Sequence, residues 1–226
     1  MNDIKIVWFD FGGVLSPPIE YLFDQYAVKT GLSPSILQQA MQDVAGKMNM
    51  PMLAPIENAI LSEVEWGKCL EICLKERNEN VDLSHANLRQ FGAQWFSNVR
   101  ANDIMVDALK RIKDSGYKTG ILTNNVAEWE PHWQAMLSLG GSVDLVVDSS
   151  KEKCRKPDPS FFNAALRSCG LDHHECVLID DALENIESAK TLGWKVVHFR
   201  TNFEALKQLQ EITGVKLIGA RKEGAV

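Results

Sequence analysis

The sequence lacks the features that mark three large classes of protein. Its five cysteines form an odd, scattered set without a CxxC pair, which argues against a secreted disulfide framework and a structural zinc site. No apolar run reaches the ~20 residues of a membrane-spanning helix. Lys and Arg number 24 against 30 Asp and Glu, a net charge of −6, so we expect no nucleic-acid partner.

The first residues also lack the basic region and the long apolar core of a signal peptide. We therefore expect a cytoplasmic protein with no membrane partner. The chain has 226 residues, of which 45% are hydrophobic and 24% are charged, as in an ordinary globular protein, and this excludes disorder as its main character. This length accommodates one compact domain that carries an insertion.

What the sequence does contain is an alternation of short apolar runs and amphipathic segments. The first run, residues 4–9, ends abruptly at Asp10 and is typical of a buried parallel strand. Further strands are predicted at 118–122, 143–147, 176–179 and 196–199, and helices at 104–112, 129–139, 159–169, 183–192 and 202–212. This order predicts an α/β fold, a Rossmann-like parallel sheet with helices on both faces.

Residues 19–96 break the alternation, because helical spacing and helix caps such as Ser33 run through them without a strand pattern. One of the predicted helices spans 83–96. We therefore expect an α/β core formed by residues 1–18 and 97–226, with residues 19–96 inserted as an all-helical cap domain. The last dozen residues, which are rich in glycine, are predicted to form a loose tail.

Polar side chains follow the predicted strands. Asp10 follows the first strand and Thr123 the second. Lys156 lies in the loop after the third, and Asp180 and Asp181 follow the fourth. Ligands of open parallel sheets bind at the carboxyl ends of the strands, so these groups should converge. Three clustered carboxylates without nearby His or Cys favour Mg²⁺, and Mg²⁺ with a lysine and a hydroxyl suits a phosphoryl group that a free carboxylate can attack.

These segments resemble the four motifs of the haloacid dehalogenase-like hydrolase superfamily. The motifs are WFDFGGVL at 8–15, ILTN at 121–124, RKPDP at 155–159 and LIDD at 178–181. They occur in the order found in the superfamily and cover the core from residue 4 to about 200. The helical insertion after the first motif is similar to the helical cap of the superfamily's phosphatases. The resemblance implies the same α/β core and hydrolase chemistry.

The resemblance also implies roles for individual residues. Asp10 would attack phosphorus and form an aspartyl-phosphate. Thr123 would hydrogen-bond a phosphate oxygen, helped by the backbone N–H of Asn124. Lys156 would screen the nucleophile and the phosphate. The implied Mg²⁺ ligands are the carboxylates of Asp10 and Asp180, the backbone carbonyl of Gly12, and Asp181 as a ligand or as a support to one.

One position departs from the superfamily pattern. Its phosphatases usually carry a second Asp two residues after the nucleophile, as general acid and base, and here that position is Gly12. General acid–base help is typically worth ~10²–10⁴ in rate, so a slow phosphatase, another acid or a good leaving group are the open explanations. His132 is the local candidate for a replacement acid, and Asn185 is expected to brace the site.

The predicted function is hydrolysis of a small phosphorylated metabolite, such as a sugar phosphate, by a Mg²⁺-dependent phosphatase acting as a monomer or homodimer. Two alternatives remain. A 2-haloacid dehalogenase uses the same Asp nucleophile on carbon and also lacks the second Asp, although it normally lacks the acidic pair of Asp180 and Asp181. A non-catalytic binding or regulatory module would have lost turnover with Gly12.

Overall fold

The structure is a computed structural model that describes residues 3–218. Those residues contain one five-stranded sheet of order β3-β2-β1-β4-β5, in which every pair of neighbours is parallel. The strands are β1 (Ile6–Phe9), β2 (Lys118–Thr123), β3 (Leu145–Asp148), β4 (Cys176–Asp180) and β5 (Lys195–His198). The predicted parallel α/β fold is confirmed, and the predicted strand ends move by one or two residues.

The helices fall into two groups along the chain. Residues 19–96, which we call the cap segment, contain α1 (Ile19–Thr30), α2 (Pro34–Gly46), α3 (Ala54–Glu57), α4 (Glu63–Arg77) and α5 (Phe91–Trp95), with no strand among them. The helices after the cap segment are α6 (Asp103–Asp114), α7 (Glu130–Leu137), α8 (Ser149–Glu152), α9 (Pro159–Cys169), α10 (Leu183–Thr191) and α11 (Asn202–Thr213).

Helices cover the sheet on both faces because the central strands are apolar on both. In β1, Ile6 and Trp8 join a hydrophobic cluster on one face, and Val7 and Phe9 join a second cluster on the other. This alternation is the two-residue period of a strand, and all four side chains are fully buried. Burial on both sides explains why the strand has a continuous apolar run in the sequence.

The cap segment packs against the elements that follow the carboxyl ends of the strands: α5 contacts the turn Ala127–Trp129 after β2, and α3 contacts α8 after β3. Its apolar residues belong to the same cluster as Val7 and Phe9. At the junction, the ring of Phe11 contacts Phe96 at 5.8 Å and Trp133 at 5.4 Å between centroids. Phe96 in turn contacts Trp129 at 5.9 Å. This aromatic packing places the cap segment over the carboxyl end of β1.

Two sequence predictions are wrong in detail. The helix predicted at 83–96 is reduced to a 3₁₀ turn (Leu88–Gln90) and α5. The Gln94 side-chain amide donates to the backbone carbonyl of His85 and accepts a hydrogen bond from the backbone N–H of Asn87. Hydrogen bonds from a side chain to nearby backbone groups compete with helix formation. In the predicted loose tail, Leu217 is buried and its N–H donates to Gln210 Oε1; residues 219–226 lie outside the described range.

Candidate active site

The site forms where β1 and β4, neighbours at the middle of the sheet, both end in a carboxylate. Asp10 follows β1, and its backbone N–H still donates to the Ile179 carbonyl of β4 at 2.9 Å. Asp180 is the last residue of β4 and is fully buried. Thr123 ends β2 on the other side of β1. The sheet therefore brings these three predicted side chains to one edge.

Lys156 joins the two carboxylates. Its ammonium group lies 2.8 Å from Asp10 Oδ1 and 2.6 Å from Asp180 Oδ2, and it donates to the Leu122 carbonyl at 2.8 Å. Three acceptors match the three N–H donors of an ammonium group, which allows Lys156 to be 1% exposed and charged. The two carboxylates raise the pKa of Lys156 against the opposing effect of its burial.

Asn185 and Asn124 brace these groups rather than leaving them free to move. Asn185 Nδ2 donates to Asp180 Oδ1 at 2.9 Å, and the Ala182 N–H donates to the same oxygen at 3.0 Å. Asn185 Oδ1 is buried and has no hydrogen-bond partner in the described chain. The Asn124 side chain forms two hydrogen bonds with the backbone of Lys156. This contact of the side chain is additional to the predicted contact of the Asn124 backbone N–H with a phosphate oxygen.

Asp181 completes a group of three carboxylates. One oxygen from each of Asp10, Asp180 and Asp181 lies within 4.8 Å of the others. Asp181 approaches so closely because Gly13 has no side chain: a Cβ there would lie 2.2 Å from Asp181 Oδ2, and φ is +72°. Oxygen donors without His or Cys are what Mg²⁺ prefers, so the residues present fit this ion.

Burial and mutual repulsion make the charged forms of these carboxylates costly. Burial raises the pKa of Asp10 to about 8, with Asp180 and Asp181 adding to the rise and Lys156 opposing it. Burial first, and Asp180 second, also raise the pKa of Asp181. One ammonium cannot neutralise three carboxylates, and a cation held between them would relieve the repulsion. This is the electrostatic argument for a metal ion at the site.

A cavity of about 230 Å³ opens above Asp10 and is roofed by the cap segment. Asp10, Gly12, Asn124, Lys156, Asp181 and Asn185 all line it. Much of its roof is apolar, formed by Leu22, Phe23, Met41, Phe91, Trp95 and Phe96. Thr123 is fully buried beside the cavity, and its hydroxyl makes two long contacts, with the Asn124 carbonyl at 3.3 Å and Asn125 Nδ2 at 3.4 Å.

The cavity wall contains an ion pair that no motif in the sequence indicates. Arg155 Nε lies 3.1 Å from Oε2 of Glu57, which belongs to α3 of the cap segment, and the Glu57 carbonyl accepts from the Ser149 hydroxyl at 2.7 Å. Burial raises the pKa of Glu57, and Arg155 and Lys156 oppose that rise. Arg155 belongs to the RKPDP motif at 155–159, whereas Glu57 lies in the short helix α3, which contains no recognised motif.

Gly12 stands where related phosphatases carry the general acid, and His132 is its predicted replacement. Of these two, only Gly12 lines the cavity. Gly12 lines the cavity with ordinary backbone angles (φ −66°, ψ 128°), and a Cβ there would meet nothing within 4 Å. His132, the predicted replacement acid, is partly exposed on α7 and is not among the residues that line the cavity.

None of the helices in the described range has both the length and the apolar composition that crossing a bilayer requires.

Similar proteins were found by sequence. The chain is 26% identical to bifunctional epoxide hydrolase 2 of Sus scrofa over 230 residues, 95% of this chain and 40% of that protein. It therefore spans about two fifths of that relative's length. It is also 34% identical to glyceraldehyde 3-phosphate phosphatase of Pyrococcus abyssi over 95 residues, 41% of this chain and 39% of that protein.

Similar proteins were also found by structure. L-2-haloacid dehalogenase of Xanthobacter autotrophicus, solved with chloropropionic acid covalently bound, has a TM-score of 0.64 at 17% identity, covering 94% of this chain and 84% of that one. A HAD family enzyme of Bacteroides thetaiotaomicron, solved with magnesium and inorganic phosphate, has a TM-score of 0.61 at 19% identity, covering 87% and 94%. At these identities the likeness shows a shared fold.

The family itself is shown by sequence over most of the chain. A family model of haloacid dehalogenase-like hydrolases matches residues 4–193. That range includes each strand end and loop that contributes a side chain to the carboxylate cluster and its lysine. The chain therefore belongs to the haloacid dehalogenase-like hydrolase family.

Proposed function

We propose that the protein is a Mg²⁺-dependent phosphomonoesterase that acts on a small phosphorylated metabolite. The observation that carries the proposal is the contact of Lys156 with both Asp10 and Asp180, beside Asp181. A cation-binding set of oxygens next to a buried ammonium is suited to the charge of a phosphoryl group. The name of the phosphatase relative and the magnesium-bound and phosphate-bound structural neighbour support the same chemistry.

Asp10 is the nucleophile in this proposal. Both contacts to its carboxylate, from Lys156 and from the Phe11 N–H, use Oδ1, so Oδ2 is the atom that attacks phosphorus. The new O–P bond forms as the P–O bond to the leaving group breaks, which yields an aspartyl-phosphate. Water then hydrolyses this intermediate, releases inorganic phosphate and restores the carboxylate.

The surrounding residues hold the phosphate and its charge. Lys156 screens the repulsion between Asp10 and the phosphate, and Thr123 with the Asn124 N–H binds a phosphate oxygen. Mg²⁺, when bound, neutralises charge on the phosphoryl oxygens. Its proposed ligands are the carboxylates of Asp10, Asp180 and Asp181 and the backbone carbonyl of Gly12.

The leaving group receives no proton from Gly12. It departs as a stable anion or takes a proton from solvent, so the proposal predicts faster hydrolysis of esters with acidic alcohols. The same absence favours a second candidate, a 2-haloacid dehalogenase, because halide leaves without a proton. The acidic pair Asp180 and Asp181 supports the phosphatase over this candidate, since a displacement at carbon needs no cation.

We also propose that residues 19–96 act as a cap that shields the reaction from water, over a core formed by residues 1–18 and 97–226. Enclosure strengthens the electrostatic interactions at the cluster and restricts access to small substrates.

The test is phosphate release from a panel of sugar phosphates, aryl phosphates and phospho-acids, with Mg²⁺ and with EDTA. We expect release that requires Mg²⁺ and disappears in the Asp10→Asn variant. Release that persists in EDTA, or halide release from 2-haloacids without phosphate release, would contradict the proposal.

A further inference from the structure

The polar groups of the cavity are concentrated at its floor. Asp10, Lys156 and Asp181 lie together there, where the proposed function places the phosphate. Glu57 and Arg155, which also line the cavity, pair with each other. A substrate that enters phosphate first therefore directs the remainder of the molecule towards the roof.

The roof offers aromatic and aliphatic surface. Phe23, Phe91 and Trp95 form part of a continuous aromatic group, with the Phe91 and Trp95 rings 5.2 Å apart and the Phe23 and Trp95 rings 5.0 Å apart. Met41 and Leu22 fill the remainder of this wall. From the core side, Trp129 presents its ring, while its indole N–H donates to Glu63, a residue that does not line the cavity.

Three polar side chains that line the cavity are bonded within the protein, whereas the unpartnered Asn185 Oδ1 belongs to a residue that binds Asp180 at the floor. Asn124 is committed to the Lys156 backbone. Asn125 Oδ1 accepts from the Val126 N–H, and its Nδ2 donates to Thr123. The Ser16 hydroxyl donates to the Pro17 carbonyl. A hydroxyl buried against the aromatic roof without a hydrogen-bond partner costs free energy, so this roof favours an apolar group over a sugar ring.

The cavity volume limits the size of what fits. About 230 Å³ is below the ~300–1,000 Å³ typical of sites for drug-sized ligands. A single aromatic ring or a short branched chain suits this space, and a long lipid tail does not.

Resting on the proposed phosphatase function, we propose that the substrate is the phosphate monoester of a small apolar alcohol or phenol, whose carbon skeleton packs against the aromatic roof. This replaces the sugar phosphate expected from sequence. The roof selects the substrate by burying apolar surface and by rejecting hydroxyl groups.

The test uses phenyl phosphates that differ only at the para position: hydrogen, methyl, ethyl and hydroxymethyl. A phenolate leaves without a proton from the enzyme, so Gly12 does not limit the comparison. We expect kcat/KM to rise about fourfold for each added carbon. We expect the hydroxymethyl ester to be at least about tenfold slower than the ethyl ester, which has nearly the same shape. Equal or faster hydrolysis of the hydroxymethyl ester would overturn the inference and leave the phosphatase function standing.

Two variants locate the effect. Met41→Gln places an amide in the roof with little change in volume, and we expect the ethyl-to-hydroxymethyl ratio to fall towards one. Ile72→Gln changes an exposed residue of α4 outside the cavity, and the ratio should stay at its wild-type value. If Met41→Gln does not fold, Leu22→Asn gives the same readout. An unchanged ratio in a folded roof variant counts against the proposed position.

A binding measurement separates this inference from the proposed function. The para-ethyl and para-hydroxymethyl benzylphosphonates cannot be hydrolysed, and quenching of the cavity tryptophans Trp95 and Trp129 reports their binding. Tighter binding of the ethyl compound supports the apolar roof even if no ester releases phosphate, in which case the phosphatase function alone fails. Equal or weaker binding of the ethyl compound overturns the inference.

Discussion

Asn124 and Lys156 are joined by two reciprocal hydrogen bonds. The Lys156 N–H donates to Asn124 Oδ1 at 2.8 Å, and Asn124 Nδ2 donates to the Lys156 carbonyl at 3.0 Å. This pairing fixes the backbone of Lys156 to the loop after β2. The side chain of Lys156 can therefore reach both Asp10 and Asp180 with its own backbone held in place.

Replacing Lys156 by Met should destabilise the protein in a pH-dependent way. The two buried carboxylates would lose their shared counter-charge, and removing one partner of a buried ion pair costs about 3–5 kcal/mol. We expect this loss at pH 8 and a smaller loss at pH 5, because burial raises the pKa of Asp10 to about 8 and its carboxyl is protonated at pH 5. Urea unfolding at both pH values measures it. Lys151→Met, at an exposed pair with Glu130, is the control, and an equal loss at both pH values for Lys156→Met would be inconsistent with this account.

Asp10→Asn should abolish turnover while the fold is retained. Loss of the nucleophile should lower kcat by at least about 10⁴-fold, as for other nucleophile deletions. Burial raises the pKa of Asp10, so its charged form is costly in the folded state and a neutral amide is tolerated there. Phosphate release and thermal unfolding check the two statements. Asp24→Asn, on the exposed side of α1, should keep full activity.

Gly12→Asp should raise phosphatase activity on esters of poor leaving groups. The backbone angles of Gly12 suit any residue, and a Cβ there meets nothing within 4 Å, so the new carboxyl has room to point into the cavity. We expect a gain of about 10²-fold in kcat on alkyl phosphates and a smaller gain on aryl phosphates. Gly13→Ala is the contrasting variant, and we expect it to lose activity because of its collision with Asp181. Equal gains on both ester classes would argue against general acid catalysis.

Mg²⁺ binding should release protons at neutral pH. With the pKa of Asp10 near 8, its carboxyl is largely protonated at pH 7, and a metal ligand must be deprotonated. We expect about one proton per bound ion at pH 7 and close to none well above pH 8. Calorimetry in buffers of different ionisation enthalpy measures this release. Proton-neutral binding at pH 7 would contradict the raised pKa, and Asp10→Asn should reduce the release.

Asp148→Asn should stabilise the protein at neutral pH. Burial, the largest influence, raises the pKa of Asp148 above its usual value of 3.8, and Oδ2 has no hydrogen-bond partner in the described chain. The native state then holds the proton more tightly than the unfolded state, so wild-type stability falls as pH rises from about 4 through the raised pKa. Asp148→Asn cannot ionise, so its free energy of unfolding does not decrease in this way. The difference in free energy of unfolding should grow over that interval and then level off, whereas Asp114→Asn, which is exposed, should show no such trend.

The sequence allowed the sheet and its carboxylates to be predicted because strand position and chemistry coincide there. The apolar run before Asp10 and the one that ends at Asp180 each mark a buried parallel strand, and adjacency of those strands brings their ends together. No distant contact is needed for that inference. The same local logic correctly predicted the helix starts at Ser33 and at Asp158.

What the sequence did not allow depends on packing between distant segments. Glu57 meets Arg155 because α3 lies against the loop after β3, and no periodicity in the sequence encodes that contact. The helix predicted at 83–96 fails because Gln94 finds backbone partners that a helix pattern does not reveal. The apolar roof could not be predicted either. In the sequence its residues have the spacing of ordinary buried helix positions, and only the folded cap segment shows that they line the cavity.

Adjacent glycines in the loop after β1 face different evolutionary constraints. Gly13 has a positive φ and lies against Asp181, so almost any substitution there would strain the backbone and displace that carboxylate. Gly12 has open space around it, and a single nucleotide change converts the glycine codons GGU and GGC to aspartate codons. A lineage can thus gain or lose a side-chain acid at this position without rebuilding its scaffold, and its preferred leaving group can shift while the substrate-binding roof is inherited intact.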